Sequence, residues 1–120
     1  MTTAPAGTLF VPKPWGSETI WALVPGKYCA KRIFVNAGKR LSLQYHVHKD
    51  ETMMLESGVA YLIIGETLAG LERIELKAGE SVHIPAGTIH RLCAETDTWV
   101  LEASTDELDD VIRIDDDYLR

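Results

Sequence analysis

Short runs of apolar and β-branched residues alternate with polar residues along most of the chain, and turns rich in Gly, Pro, Asn and Asp separate them. This period-two pattern is typical of strands, whereas the 3.6-residue spacing of amphipathic helices is nearly absent. Strands without helices build a sandwich or a barrel, so the pattern predicts an all-β domain. The predicted strands cover residues 18–24, 28–36, 41–47, 51–56, 59–65, 71–76, 81–84, 89–94 and 98–104.

The two ends of the chain differ from its middle. Residues 1–12 are predicted to form a loose N-terminal arm, followed by one β-barrel domain over residues 13–120. Residues 105–120 carry seven acidic residues, and such a run usually forms a solvated segment rather than a cation site. Inside the domain, Gly58 lies between two predicted strands and indicates a tight hairpin turn.

Composition and charge narrow the class of protein. The 120 residues, 46% hydrophobic and 25% charged, fit one soluble globular domain. The net charge of −6 argues against a nucleic-acid partner, because phosphate binding needs a cationic surface. There is no membrane-spanning apolar run and no signal-peptide pattern, so we expect a cytoplasmic protein. Cys29 and Cys93 are then predicted to be buried free thiols.

The most distinctive polar residues surround one predicted strand. Gln44, His46 and His48 alternate along it and would project to the same face, and Glu51 follows at the start of the next strand. A third imidazole, His90, lies much further along the chain. Nitrogen and oxygen donors of this kind suit a divalent transition metal. The role of His48 stays open, since it could ligate a metal, act as a general base or close the barrel mouth.

Two spaced motifs contain these residues. The first reads Gly38, five residues, Gln44, one residue, His46, four residues, Glu51, six residues, Gly58. The second reads Gly79, five residues, Pro85-Ala86-Gly87, two residues, His90. In this order they resemble the two signature motifs of the cupin superfamily, with Gln44 where most members have His. The resemblance implies a double-stranded β-helix, which is a small jelly-roll barrel.

Gln44 narrows the resemblance to one branch of the cupins. Phosphomannose isomerases use Gln, His, Glu and His around a zinc ion, which implies that Gln44, His46, Glu51 and His90 bind one divalent metal ion per subunit. Zinc is expected first, although Mn, Fe, Co or Ni would also accept these donors. The similarity to the cupin domain of type II mannose-6-phosphate isomerases covers nearly the whole chain. It is carried by residues 13–16, 31–33, 41–44, 84–92, 110–113 and 117–120.

The resemblance implies aldose–ketose isomerisation of a sugar phosphate and gives several residues a role. His48 becomes the candidate base that removes a proton from the sugar, and Lys31 the candidate contact for its phosphate. An inward Lys31 needs an anion or a carboxylate beside it, because a buried unpaired ammonium is costly. An outward, solvated Lys31 is an equally good interpretation. Arg113 and Arg120 are anion contacts by resemblance alone.

Two other function classes stay open on the same barrel, since a fold does not fix a function. One is a metal-dependent dioxygenase or lyase acting on a small molecule, and the other is a non-catalytic sugar-binding or sensing cupin. In each case the expected partner is a small molecule, first a sugar or sugar phosphate, and neither nucleic acid nor a membrane. A homodimer is expected, because cupins commonly pair and pairing would cover exposed strand edges.

Overall fold

The computed structural model describes residues 8–118, which form eleven strands and one short 3-10 turn at Leu68–Gly70. Across these residues no helix is long and apolar enough to cross a membrane. The strands, numbered in chain order, are β1 (Leu9–Lys13), β2 (Gly16–Val24), β3 (Tyr28–Val35), β4 (Leu43–Tyr45), β5 (Glu51–Ser57), β6 (Ala60–Gly65), β7 (Glu72–Glu75), β8 (Ser81–Ile84), β9 (Ile89–Ala94), β10 (Thr98–Ser104) and β11 (Ile112–Asp115).

The strands assemble into two antiparallel sheets. The order is β1-β2-β3-β10-β5-β8 in the first sheet and β11-β4-β9-β6-β7 in the second. Apolar side chains from both sheets pack into one core, as in a jelly roll. The all-β jelly-roll prediction is therefore confirmed.

The core is formed by eleven buried side chains that come mostly from the strands of both sheets. They are Trp15, Ile33, Val35, Met53, Leu55, Ala60, Leu62, Ile84, Leu92, Ala94 and Val100. Cys29 and Cys93 are also buried and both are free thiols, which confirms the prediction from the sequence.

The sequence pattern predicts β2 to β10 but misses the two terminal strands. β1 lies across the predicted boundary between arm and domain, and it pairs Pro12 with Ser17 at the edge of the first sheet. An edge strand tolerates Pro, because the missing N–H can face away from the sheet. β11 forms inside the acidic segment and pairs Ile112 with Tyr45 of β4. Residues 1–7 of the predicted arm lie outside the described residues.

The turn at Gly58 is not a hairpin, which corrects the expectation from the sequence. β5 pairs with β10 and β8, while β6 pairs with β9 and β7, so this turn carries the chain from one sheet to the other. Gly58 has a φ angle of +104°, and a Cβ atom there would lie 2.5 Å from the carbonyl oxygen of Asp97. The close approach of two backbone segments therefore requires glycine at this position.

Inward side chains change from apolar to charged along the first sheet. Val100 on β10 lies between Ile33 on β3 and Leu55 on β5, and all three are buried. The next inward residue of β10 is Glu102, which lies opposite Lys31 of β3. Because alternate residues share a face, the strands that build the core also bring charge to one end of the barrel.

The second sheet changes in the same direction. Leu92 on β9 belongs to the core and lies opposite Leu62 of β6. Two residues earlier, His90 lies opposite Gln44 of β4 on one side and Ile64 of β6 on the other. The polar ends of both sheets therefore meet around one cavity at the end of the barrel.

Candidate metal centre

Two imidazoles and a carboxylate converge in this cavity. His46 follows β4, Glu51 begins β5 and His90 lies on β9, and none of the three is more than 4% exposed. Nδ1 of His46 lies 2.5 Å from the carbonyl oxygen of Asp110, and Nδ1 of His90 lies 2.9 Å from that of Thr88. Since a carbonyl oxygen only accepts hydrogen bonds, both rings carry a proton on Nδ1 and donate it.

The Nε2 atoms of both histidines face Glu51. The distance is 3.5 Å from His46 Nε2 to Oε2 and 3.2 Å from His90 Nε2 to Oε1. A neutral imidazole protonated on Nδ1 presents a lone pair at Nε2, so it can approach a carboxylate favourably only when a cation or proton lies between them. The three candidate ligand atoms lie within 4.8 Å of one another, and Glu51 Oε2 has no hydrogen-bond partner. This donor set fits a divalent metal ion, with both imidazoles oriented by carbonyl groups as metal-ligating histidines usually are.

Lys49 forms ion pairs with two buried carboxylates in the cavity. Its Nζ lies 3.1 Å from Oε2 of Glu51 and 3.2 Å from Oε2 of Glu102, in ion pairs that lack the directed geometry of hydrogen bonds. Burial alone would raise the pKa of Glu51. That pKa lies below its ordinary value because protons on Nε2 of the two imidazoles, which occupy the place of a cation, and the Lys49 ammonium favour the ionised carboxylate. Burial and the nearby Glu51 charge raise the pKa of Glu102.

Lys49 and Glu102 were not predicted to belong to the site, although the alternation of inward and outward residues along the strands indicates both of them. Lys49 precedes Glu51 by two residues and continues the inward face that Glu51 and Met53 share. Glu102 follows the core residue Val100 by two residues and lies on the same face of β10. Extending the period-two pattern by one step in each strand would have found both residues.

All four predicted metal ligands line the same cavity. Gln44 lies opposite His90, and its amide nitrogen donates a hydrogen bond to Oγ of Ser42 at 3.1 Å. That bond leaves the amide oxygen as the atom that Gln44 can offer to a metal. Ligation by Gln44 stays a prediction, since a weaker, neutral oxygen donor can also act by orienting another ligand.

The structure brings one of the two predicted catalytic residues to the cavity and not the other. Lys31 is 7% exposed, lines the cavity and pairs through Nζ with Oε1 of Glu18 at 3.0 Å, so the inward interpretation is the correct one. His48 is exposed and does not line the cavity. Strand β4 ends at Tyr45, so the alternation assumed for His48 stops before it and Lys49 turns inward instead.

Residues 105–111, which we call the strap, connect β10 to β11 beside the cavity. The Asp110 carboxylate in the strap accepts hydrogen bonds from three successive backbone N–H groups, at 2.9, 2.6 and 2.9 Å. The donors are Val47, His48 and Lys49. These bonds, that of Val47 first, lower the pKa of Asp110 to about 2. The acidic run was predicted to be a solvated segment, but the Asp110 carboxylate within it bonds to the backbone of residues 47–49 beside the cavity.

Comparison with known protein families shows which family this domain belongs to. The family described as mannose-6-phosphate isomerase C-terminal matches residues 7–116 of the chain. The chain belongs to this family. Its resemblance to the cupin domain of type II mannose-6-phosphate isomerases is therefore confirmed at the level of the domain.

Similar proteins carry this isomerase C-terminal domain within much longer chains. The mannose-1-phosphate guanylyltransferase of Sinorhizobium fredii is 35% identical over 80 residues, and the alginate biosynthesis protein AlgA of Pseudomonas aeruginosa is 30% identical over 113 residues. These matches cover 67% and 90% of this chain but 14% and 22% of the relatives. The chain therefore spans less than a quarter of the length of these relatives.

Solved structures with the same fold are cupins. The capsular polysaccharide assembling protein CapF from Staphylococcus aureus has a TM-score of 0.76 at 21% identity, over 90% of this chain and 32% of CapF. Oxalate decarboxylase from Bacillus subtilis has a TM-score of 0.76 at 15% identity, over 90% of this chain and 30% of the decarboxylase. KdgF from Halomonas has a TM-score of 0.70 at 20% identity, over 81% of this chain and 84% of KdgF. At these identities the likeness establishes the cupin fold alone.

Proposed function

We propose that this cupin domain binds one divalent metal ion through Gln44, His46, Glu51 and His90. Zinc is the first candidate, and Mn, Fe, Co and Ni are the others. The observation that carries the proposal is the pair of Nδ1-protonated imidazoles whose Nε2 atoms both face one buried carboxylate, at 3.5 and 3.2 Å. A histidine that serves packing alone has no need of this arrangement.

The reaction that we propose is aldose–ketose isomerisation of a sugar phosphate, in keeping with the family. A bound metal ion would supply electrophilic stabilisation of negative charge on the sugar oxygens. Glu102 takes the role expected of His48, because its carboxyl group is buried and lines the cavity. A carboxylate whose pKa is raised is a stronger base than an ordinary carboxylate, and moving a proton between C2 and C1 of a sugar requires a base that accepts the proton and returns it.

Lys31 remains the candidate contact for the substrate phosphate. Its ammonium has three N–H donors, and Glu18 accepts from one of them. Lys13 and Arg113 also line the cavity and add positive charge around it. Arg120, expected to contribute in the same way, lies outside the described residues.

An isomerase assay on the metal-loaded protein tests the proposal. Protein stripped with a chelator is reloaded separately with Zn, Mn, Fe, Co and Ni, and interconversion of mannose 6-phosphate and fructose 6-phosphate is followed by NMR. We expect turnover with at least one metal and its loss in His90→Ala. The matched control is His83→Ala, since His83 is exposed, pairs with Asp50 and does not line the cavity. Metal uptake without turnover would reject the isomerase proposal and favour a non-catalytic sugar-binding cupin.

A homodimer is also part of the proposal. β1 forms one edge of the first sheet, and its residues Leu9 and Phe10 are 56% and 62% exposed. An edge strand with exposed apolar side chains is a surface that a second copy can cover. Light scattering coupled to size exclusion gives the mass in solution, and a monomer at tens of micromolar would exclude a stable dimer.

A further inference from the structure

The ligand His46 is held by a residue that is distant in sequence. Strand β4 ends at Tyr45, so His46 lies in a loop rather than in a sheet ladder. Asp110, in the strap, contacts this loop twice. Its carbonyl oxygen accepts a hydrogen bond from Nδ1 of His46, and its carboxylate accepts hydrogen bonds from the three backbone N–H groups that follow. One residue therefore fixes both the ring of His46 and the loop that carries it.

The two histidines differ in how they are positioned. His90 lies within β9, and its Nδ1 bonds to the carbonyl of Thr88, two residues earlier in the chain. His46 depends on a contact that spans 64 positions of sequence. Successive N–H groups that converge on one point form an anion-binding concavity, and here the anion is the Asp110 carboxylate itself. Removing that anion would release the loop, whereas the position of His90 would be unaffected.

We propose that Asp110 is a positioning residue for metal binding, which holds His46 in ligating geometry by clamping residues 47–49 from the strap. The inference rests on the metal-binding part of the proposed function and does not depend on the isomerase reaction. Partners that orient a ligating histidine typically contribute 10–100-fold to metal affinity, so a loss of about that size is expected when the clamp is removed.

Two substitutions at Asp110 distinguish the effect of its hydrogen bonds from the effect of its negative charge. Asp110→Ala removes all three side-chain hydrogen bonds. Asp110→Asn removes the same charge but keeps one acceptor oxygen, while its amide group would face a backbone N–H. The matched controls are Asp109→Ala and Asp109→Asn, because Asp109 is the neighbouring strap residue and its side chain is exposed.

Cobalt binding to the purified protein tests the inference. The affinity for Co²⁺ is measured by competition with a chelating dye, and the ligand-field absorption spectrum of the Co²⁺ form reports the coordination geometry. We expect about 10–100-fold weaker binding and an altered spectrum in Asp110→Ala, a smaller loss of affinity in Asp110→Asn, and wild-type behaviour in both Asp109 variants.

Each outcome of the measurement bears on the inference. Wild-type affinity and an unchanged spectrum in both Asp110 variants, even with lower melting temperatures, would overturn it and leave Asp110 a merely structural residue. If Asp110→Ala does not fold, the affinity and spectrum of Asp110→Asn decide. A wild-type protein that takes up no Co²⁺ or Zn²⁺ would overturn the metal-binding proposal and this inference together. Isomerase inactivity with normal Co²⁺ uptake would reject only the reaction.

Discussion

Metal addition should stabilise the wild-type protein and fail to stabilise a His90→Ala variant. His90 is the cleaner of the two histidines to remove, because its Nδ1 contact lies within its own segment while that of His46 involves the strap. Its Nε2 lies 3.2 Å from Glu51, so its loss takes away one of the three clustered candidate ligand atoms. A ligand that binds only the folded state raises the free energy of unfolding by RT ln(1 + [L]/Kd).

The size of the effect follows from that relation. At a free zinc concentration of 100 times the wild-type Kd, the gain is about 2.7 kcal/mol. For a domain of 120 residues, at about 4 °C per kcal/mol, the melting temperature should rise by about 10 °C. Loss of a direct ligand should weaken binding by at least about 100-fold, since even indirect partners contribute 10–100-fold. At the same zinc concentration the variant then gains at most about 0.4 kcal/mol, which is about 2 °C.

Differential scanning calorimetry in chelator and in buffered zinc measures both shifts. His83→Ala is the control, because it removes an exposed imidazole that pairs with Asp50 away from the cavity. A wild-type melting temperature that does not respond to zinc, manganese or cobalt would refute the reasoning. So would a rise in His90→Ala as large as that of the wild type, or a loss of the rise in His83→Ala.

Glu102→Gln should keep the metal-dependent rise in melting temperature but lower isomerase turnover by about 100-fold or more, and normal turnover would exclude Glu102 as the base. Gly58→Ala should lower the free energy of unfolding by about 2–4 kcal/mol, because its Cβ would lie 2.5 Å from a carbonyl oxygen, whereas Gly38→Ala should lower it by about 1 kcal/mol, because Gly38 has a φ of +76° but open space around it. Chemical denaturation measures both values, and equal losses would contradict the steric argument. Because the pKa of Asp110 is lowered to about 2, its hydrogen bonds stabilise the fold fully above the ordinary carboxyl pKa and are lost as the pH falls through about 2. The difference in free energy of unfolding between the wild type and Asp110→Ala should therefore shrink as the pH is lowered from 4 to 2, and a constant difference would contradict this role of the Asp110 carboxylate.

The fold and the clustering of the candidate metal ligands could be predicted, because strand alternation is a local signal and the two motifs resemble those of the cupins. Period-two alternation identifies β2 to β10. The resemblance of the two motifs to those of cupins implies that Gln44, His46, Glu51 and His90 lie together, and all four line one cavity. The edge strand β11 gives only a weak signal, since an edge strand in an acidic segment buries little apolar surface.

The orientation of the loop after β4 could not be predicted, because its cause lies elsewhere in the chain. Strand alternation continued through residue 48 would put His48 on the inner face beside His46. In the structure the three N–H groups of residues 47–49 bond to Asp110 instead of a neighbouring strand, which ends β4 early and turns Lys49 inward. No local pattern in residues 44–51 reveals an acceptor about 60 positions away.

The place of β10 in the first sheet has a consequence for how the protein folds. β10 pairs with β3 on one side and β5 on the other, although it follows both by more than 40 residues. During synthesis β1, β2 and β3 can pair early, but the inner edges of β3 and β5 stay open until residues 98–104 leave the ribosome. Closing such long loops is slow, and open strand edges are sites of misassociation. Sequence changes that delay the arrival of β10 should therefore lower the yield of folded protein without altering the stability of the molecules that complete the barrel.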